Sequence, residues 1–172
     1  MAEVIKYGCI KDKVFFNLLK SFTSRQEVMM HIEAIVYQCC MIKKTIVEKD
    51  EKDQSERLLL NFGHTLGHGI EKYYNYTEIT HGEAVAIGMY HTTLKSEQVG
   101  ITMKGTAERI KEVLVQYGLP CELTVKDHHK LIDAIGLDKK NTGDVLKEIL
   151  LTDIGESIVY ECNVSFYSSN EI

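Results

Sequence analysis

The stretch Ser24–Lys49, SRQEVMMHIEAIVYQCCMIKKTIVEK, carries the fold class. It opens with Ser24-Arg25-Gln26-Glu27, a serine followed three residues later by a glutamate. In that pattern a hydroxyl and a carboxylate satisfy the first free N–H groups of a helix. Val28, Ile32, Ile35, Val36, Cys39, Ile42 and Ile46 then recur at helical spacing, which predicts one apolar face on a helix running to about Lys49. The chain's single proline, Pro120, lies far downstream.

The same periodicity continues on either side. Upstream, Val4, Ile5, Ile10, Phe15, Leu18 and Leu19 predict a helix from Ala2 to about Lys20, interrupted near Gly8. Downstream, a charged cluster from Glu48 to Arg57 and the run Leu58-Leu59-Leu60 lead into a histidine-rich segment. Gly82 to Glu97 begins apolar almost all round, as a helix buried in a core would. Ala107, Ile110, Val113, Leu114 and Tyr117 mark an amphipathic helix closed by Gly118 and Pro120. A short helix is expected over Val125–Ile135. Ile149-Leu150-Leu151 and Ser157-Ile158-Val159-Tyr160 flank Asp153-Ile154-Gly155, which reads as a hairpin. No repeat or low-complexity linker divides the 172 residues, a length that suits one domain. The expected fold is mainly α, with one small β-hairpin near residues 146–162.

Composition narrows the function. Apolar residues make up 44% and charged residues 26%, ordinary values for a globular protein. The net charge of −5 gives no support to general nucleic-acid or anionic-membrane binding. No apolar run approaches the ~20 residues of a membrane helix, and Met1–Lys6 lacks the basic start and apolar core of a signal peptide. Five cysteines without a Cys-x-x-Cys pair read as reduced thiols, so a cytoplasmic location is expected.

Chemistry concentrates in Asn61-Phe62-Gly63-His64-Thr65-Leu66-Gly67-His68-Gly69-Ile70-Glu71. His64 and His68 stand four apart, so on a helix both rings leave one face. His81 heads His81-Gly82-Glu83 just ahead of the buried helix. Three nearby imidazoles could hold Zn²⁺, or could be ordinary hydrogen-bonded histidines, and spacing leaves both open. The zinc-protease motif is excluded, because it needs Glu where Thr65 follows His64.

The run Arg57-Leu58-Leu59-Leu60-Asn61-Phe62-Gly63-His64-Thr65-Leu66-Gly67-His68, followed by His81-Gly82-Glu83-Ala84-Val85-Ala86-Ile87-Gly88-Met89, resembles the signature of the 3-dehydroquinate synthase family. Ala2–Gly8, Lys43–Glu51 and Asp138–Asn141 extend the resemblance over nearly the whole chain, in order and with near-matching spacings. It implies the helical, C-terminal, metal- and substrate-binding domain of such an enzyme, as a single domain over residues 1–172. It also implies an N-terminal NAD-binding domain that is absent from this chain, which contains no Gly-x-Gly-x-x-Gly string.

The resemblance further implies roles at matching positions. Glu3, His64 and His81 would bind Zn²⁺ or another divalent metal such as Co²⁺. His68 would carry protons, and Asp53, where the family usually has Glu, would serve as a base with a shorter reach. Lys6, Lys43, Arg57, Asn61 and Lys139 or Lys140 would grip an anionic small-molecule substrate. The implied reaction is the NAD- and zinc-dependent cyclisation of the seven-carbon keto acid phosphate DAHP to 3-dehydroquinate, with phosphate elimination, in the shikimate pathway. The intact enzyme would be a homodimer, and this chain alone would bind zinc without turnover. Two alternatives remain: a related sugar-phosphate cyclase of the 2-deoxy-scyllo-inosose or valiolone synthase type, and a non-catalytic helical assembly module. Lys43, Arg57 and Asn61 favour dehydroquinate synthesis, because the related cyclases act on substrates whose carboxylate is missing or moved.

Overall fold

A computed structural model describes residues 1–50, 56–137 and 145–167. Ala2–Lys11 forms α1 and Lys13–Ser21 forms α2. The break falls at Asp12 and not near Gly8. Asp12 is extended (φ −145°, ψ 91°) and its carboxylate accepts the Phe15 N–H at 2.8 Å, so the cap of α2 is also the end of α1. Gly8 stays helical for a packing reason. A Cβ there would lie 2.9 Å from the Phe16 Cα, so its absence lets α2 fold back against α1.

The long helix expected after Ser24 is divided into α3, Arg25–Met30, and α4, Ile32–Lys49. Ser24 caps α3 as its sequence predicts, accepting the Glu27 N–H at 3.2 Å. The Glu27 carboxylate bonds Thr23 instead, taking its N–H and hydroxyl. His31 marks the kink, because its Nδ1 lies 2.8 Å from the Glu27 carbonyl and competes for an acceptor of the helical ladder. Ile35, Ile42 and Ile46 are buried as the periodicity demands, whereas Val36 is 53% exposed.

A 3₁₀ segment, Glu56–Asn61, leads into α5, His64–Tyr73. Helix α6, His81–Gln98, is the axis of the domain: Ala84 to Met89, Thr92, Thr93 and Ser96 are all buried. Helix α7 covers Thr106–Gln116 and ends at Gly118 (φ 68°). Helix α8 spans His128–Leu137, starting later than expected because Asp127 caps it through the Lys130 N–H at 3.1 Å. Strands β1, Leu146–Asp153, and β2, Glu156–Cys162, form the antiparallel hairpin, with Leu150 opposite Ile158. A second 3₁₀ segment, Val164–Tyr167, follows.

Two apolar clusters meet along α6. The larger joins α1, α2, α4 and α7 to the buried face of β1. The smaller packs Leu66 and Ile70 of α5 against Ala84 and Ile87 of α6 and Leu131 and Ile135 of α8. Each fully buried Leu or Ile contributes about 1.5–3 kcal/mol, so the orientation of α5 against α6 is set by packing on two sides. No described helix is long and apolar enough to cross a membrane.

Candidate metal centre

Three separate segments supply the site: the first turn of α1, and the first residues of α5 and α6. What brings them together is the close approach of α5 and α6. Gly63, which precedes α5, has φ +75°, and a Cβ there would meet the Met89 backbone nitrogen at 2.7 Å. A Cβ on Gly88 would fall onto the Gly63 carbonyl and lie 3.1 Å from the Gly67 nitrogen. Only hydrogen fits between these backbones. Thr80 then starts α6 with a complete capping box: its hydroxyl accepts the Glu83 N–H, and Glu83 accepts the Thr80 N–H at 2.9 Å. Glu83 of the His81-Gly82-Glu83 string is therefore a capping residue, and His81 is presented at the helix start.

Within this frame Glu3, His64 and His81 each place a ligand atom within 4.8 Å of the others. His64 Nε2 lies 3.3 Å and His81 Nε2 3.8 Å from Glu3 Oε1. The far nitrogens are engaged elsewhere. His64 Nδ1 is 3.0 Å from the Phe62 carbonyl, which can only accept, so that nitrogen carries the proton. His81 Nδ1 is 3.2 and 3.3 Å from the two Glu71 oxygens, which fixes the same tautomer. Both Nε2 lone pairs therefore face a carboxylate oxygen, and Glu3 Oε1 is buried with no hydrogen-bond donor. Lone pairs facing one another repel unless a cation lies between them. Donors about 2.0–2.2 Å from a tetrahedral zinc stand about 3.3 Å apart, so this donor set and its spacing fit a divalent metal.

The other Glu3 oxygen is held by Lys6, whose ammonium donates to Oε2 at 2.6 Å and to the Leu60 carbonyl at 2.6 Å. Burial works to raise the Glu3 pKa, and in the metal-free chain an Nε2–H hydrogen bond from the protonated form of His64, together with the Lys6 ammonium, outweighs it, holding the carboxyl at about 2. Burial, opposed by Glu3 and assisted by the charge of Lys43, lowers the Lys6 pKa. Lys6, expected among the substrate-gripping residues, therefore stands beside the metal donors and not in solvent. It is 3% exposed and braces the carboxylate.

The remaining expected residues surround the centre unequally. His68, one turn after His64, is exposed, with its ring 5.5 Å from that of His64 and 6.0 Å from that of His81. Asn61, His64, Thr65 and His68 line one wall of a cleft of about 660 Å³, and Lys147 and Glu161 of the hairpin line the other. Lys43 on α4 and Arg57 are exposed, and the Arg57 N–H donates to the Asp50 carboxylate at 3.2 Å. Asp53, Lys139 and Lys140 lie outside the described residues. Glu71 is the neighbour that spacing could have disclosed: it follows His64 by seven and His68 by three, on the same face of α5. Lys147 carried no such signal, because a hairpin lysine looks like any solvated charge.

Fold and site together define a helical domain that gathers one carboxylate and two imidazoles beside an open cleft. Comparison with known proteins gives this class its family. The sequence profile described as 3-dehydroquinate synthase C-terminal matches residues 1–141, and the chain belongs to that family. The 3-dehydroquinate synthase of Clostridium beijerinckii is 58% identical over 168 residues, 98% of this chain and 48% of that protein. The chain spans about half the length of the curated relatives it matches. Among solved structures, 2-epi-5-epi-valiolone synthase from Streptomyces hygroscopicus subsp. jinggangensis, with NAD⁺ and Zn²⁺ bound, aligns with a TM-score of 0.79 at 22% identity. That alignment covers 97% of this chain and 48% of the other. A 2-deoxy-scyllo-inosose synthase complexed with carbaglucose-6-phosphate, NAD⁺ and Co²⁺ aligns with a TM-score of 0.75 at 20% identity, over the same shares. These two likenesses establish a shared fold.

Proposed function

We propose that this chain is the metal- and substrate-binding half of a 3-dehydroquinate synthase, a phosphate-eliminating lyase acting on DAHP. The observation that carries the reading is the buried Glu3 Oε1, undonated and faced by the Nε2 atoms of His64 and His81. The presence of Zn²⁺ or Co²⁺ together with NAD⁺ in the two solved cyclases supports a divalent metal at this cluster and a cofactor brought by a further half. Identity favours dehydroquinate over the products of those cyclases: 58% to a dehydroquinate synthase against 20–22%.

Glu3, His64 and His81 would hold the metal, which when bound polarises substrate oxygens, while NAD carries the hydride. Lys6 keeps Glu3 ionised and aimed. Asn61 and the cleft beside it would receive the substrate. Lys43 and Arg57 would oppose its carboxylate and phosphate, Arg through a planar fork and Lys as a point charge. His68, on the cleft wall beside the imidazole pair, is placed to move a proton at a substrate oxygen. Zinc titration tests the centre. Wild type should bind one ion, and His64→Ala and His81→Ala should each weaken binding sharply. Undiminished affinity in both variants would remove the centre and the reading with it.

A further inference from the structure

Glu71 has no part in the ligand set just described, yet it is the best-placed carboxylate to control it. It lies on α5 and is 9% exposed, a rare state for a glutamate. The partner its carboxylate meets among the described residues is His81, which both oxygens approach at Nδ1, at 3.2 and 3.3 Å. His81 needs such a partner more than His64 does. Its side chain is 48% exposed against 13% for His64, so packing restrains it less. It also stands at the first residue of α6, where an imidazole could present either nitrogen to a cation. His64 is oriented by a main-chain carbonyl that no substitution removes, whereas the orienting group of His81 is a charged side chain.

We propose that Glu71 is a positioning residue of the metal centre. Its carboxylate fixes the Nδ1–H tautomer of His81, aims Nε2 at Glu3 Oε1, and makes that ring a more basic ligand. Carboxylate–imidazole pairs of this kind fix ring orientation and raise ligand basicity, and losing one costs about 10–100-fold in metal affinity. The inference rests on the metal-binding reading above. It also decides between two uses of His81, because His68, Glu71 and His81 form a second group with ligand atoms within 4.8 Å. With Nδ1 protonated and bonded to Glu71, His81 serves the Glu3–His64 side.

The test uses the 172-residue chain and zinc alone, with affinity read by competition against a chromophoric chelator. Glu71→Gln, which keeps an acceptor oxygen but loses the charge, should weaken zinc about tenfold, and Glu71→Ala by more, within the about 10–100-fold range. The visible spectrum of bound Co²⁺ should change in Glu71→Ala, as a loosened His81 alters the ligand field. A second measurement needs no metal. Ring ¹⁵N spectra of the metal-free chain should show His81 as the Nδ1–H tautomer in wild type and as a mixture in Glu71→Ala. Zinc affinity within twofold of wild type in both Glu71 variants, while His81→Ala loses it, overturns the proposal and leaves the centre standing. An Nε2–H tautomer for His81 in the wild type also overturns it. If His64→Ala, His81→Ala and the Glu71 variants all bind like wild type, the metal reading falls first and this inference follows.

Discussion

Glu3 is asked to be two things at once: a half-buried carboxylate that stays ionised, and a donor with one lone pair left for a cation. Lys6 resolves the conflict by taking Oε2 and leaving Oε1. A consequence for acid stability follows. The folded-state pKa, about 2, lies below the ordinary 4.5, so the group stabilises the fold above pH 4.5 and loses that contribution as pH falls toward 2. Glu3→Gln should therefore be less stable than wild type at pH 6, and the gap should narrow at pH 4 and again at pH 3, measured by urea denaturation of the metal-free chain. A gap independent of pH would mean that the Lys6 contact is not electrostatic. The residues also show what a sequence hides. Spacing suggested that His64 and His68 act together, because they share a helix face. The Nε2 of His64 instead faces Glu3 on another helix, a proximity created by tertiary packing that no local period encodes. The motif resemblance named Glu3, but neither the burial of Lys6 nor the anchoring of His81 by Glu71 could be read from it.

Helix α7 was legible from apolar periodicity closed by Gly118 and Pro120, α6 from its apolar start, and the hairpin fell within the span marked by two apolar runs around a turn. The breaks were less legible, because they depend on single side chains competing with the backbone: Asp12 between α1 and α2, His31 between α3 and α4. The element contact that matters most for the site is α5 on α6, and its weak point is Gly88. Gly88→Ala would push a methyl into the Gly63 carbonyl, so the helices must part. The expected cost is about 1–3 kcal/mol in chemical denaturation, with weaker zinc binding because His64 and His81 separate. Normal zinc affinity in a folded Gly88→Ala chain would show that the site does not depend on this approach. The hairpin is anchored differently. Asp153 bonds Lys13 at 2.6 Å and Arg109 at 3.0 Å, tying β1 to α2 and α7. Burial raises the pKa of Asp153, but the Lys13 hydrogen bond, the Ile154 N–H and the two cations bring it below the usual 3.8, so the tie contributes fully above pH 3.8 and is lost as pH falls from there through the lowered folded-state value. Asp153→Asn should cost about 1 kcal/mol at neutral pH, and thermal melts should show the difference fading below pH 3.8.

At the scale of the whole molecule, the described residues offer a donor set that fits a metal and an open cleft beside it, but no glycine-rich strand–turn–helix to cradle a dinucleotide. The curated relatives are about twice as long as the segment they share with this chain. Exposed Met29, Met30, Val36 and Tyr37 on α3 and α4 give the chain an apolar surface that a further protein body would cover favourably. If the proposed function holds, metal binding and turnover are therefore separable. The 172-residue chain should bind zinc in a manner that depends on His64 and His81, yet release no phosphate from DAHP with NAD supplied. Joining it to the N-terminal half of a close relative, such as the Clostridium beijerinckii synthase, should restore phosphate release and dehydroquinate formation, followed by absorbance. In that joined protein, Arg57→Ala and Lys43→Ala should raise KM for the anionic substrate, because they bind its charged ends, and whichever holds the phosphate should also lower kcat, because phosphate is the leaving group. His68→Ala should lower kcat by about 10²–10⁴-fold. A joined protein that binds zinc and NAD but converts only a substrate lacking the carboxylate would move the chain to the other cyclases. Turnover by the isolated chain would show that the cofactor need not come from a second half.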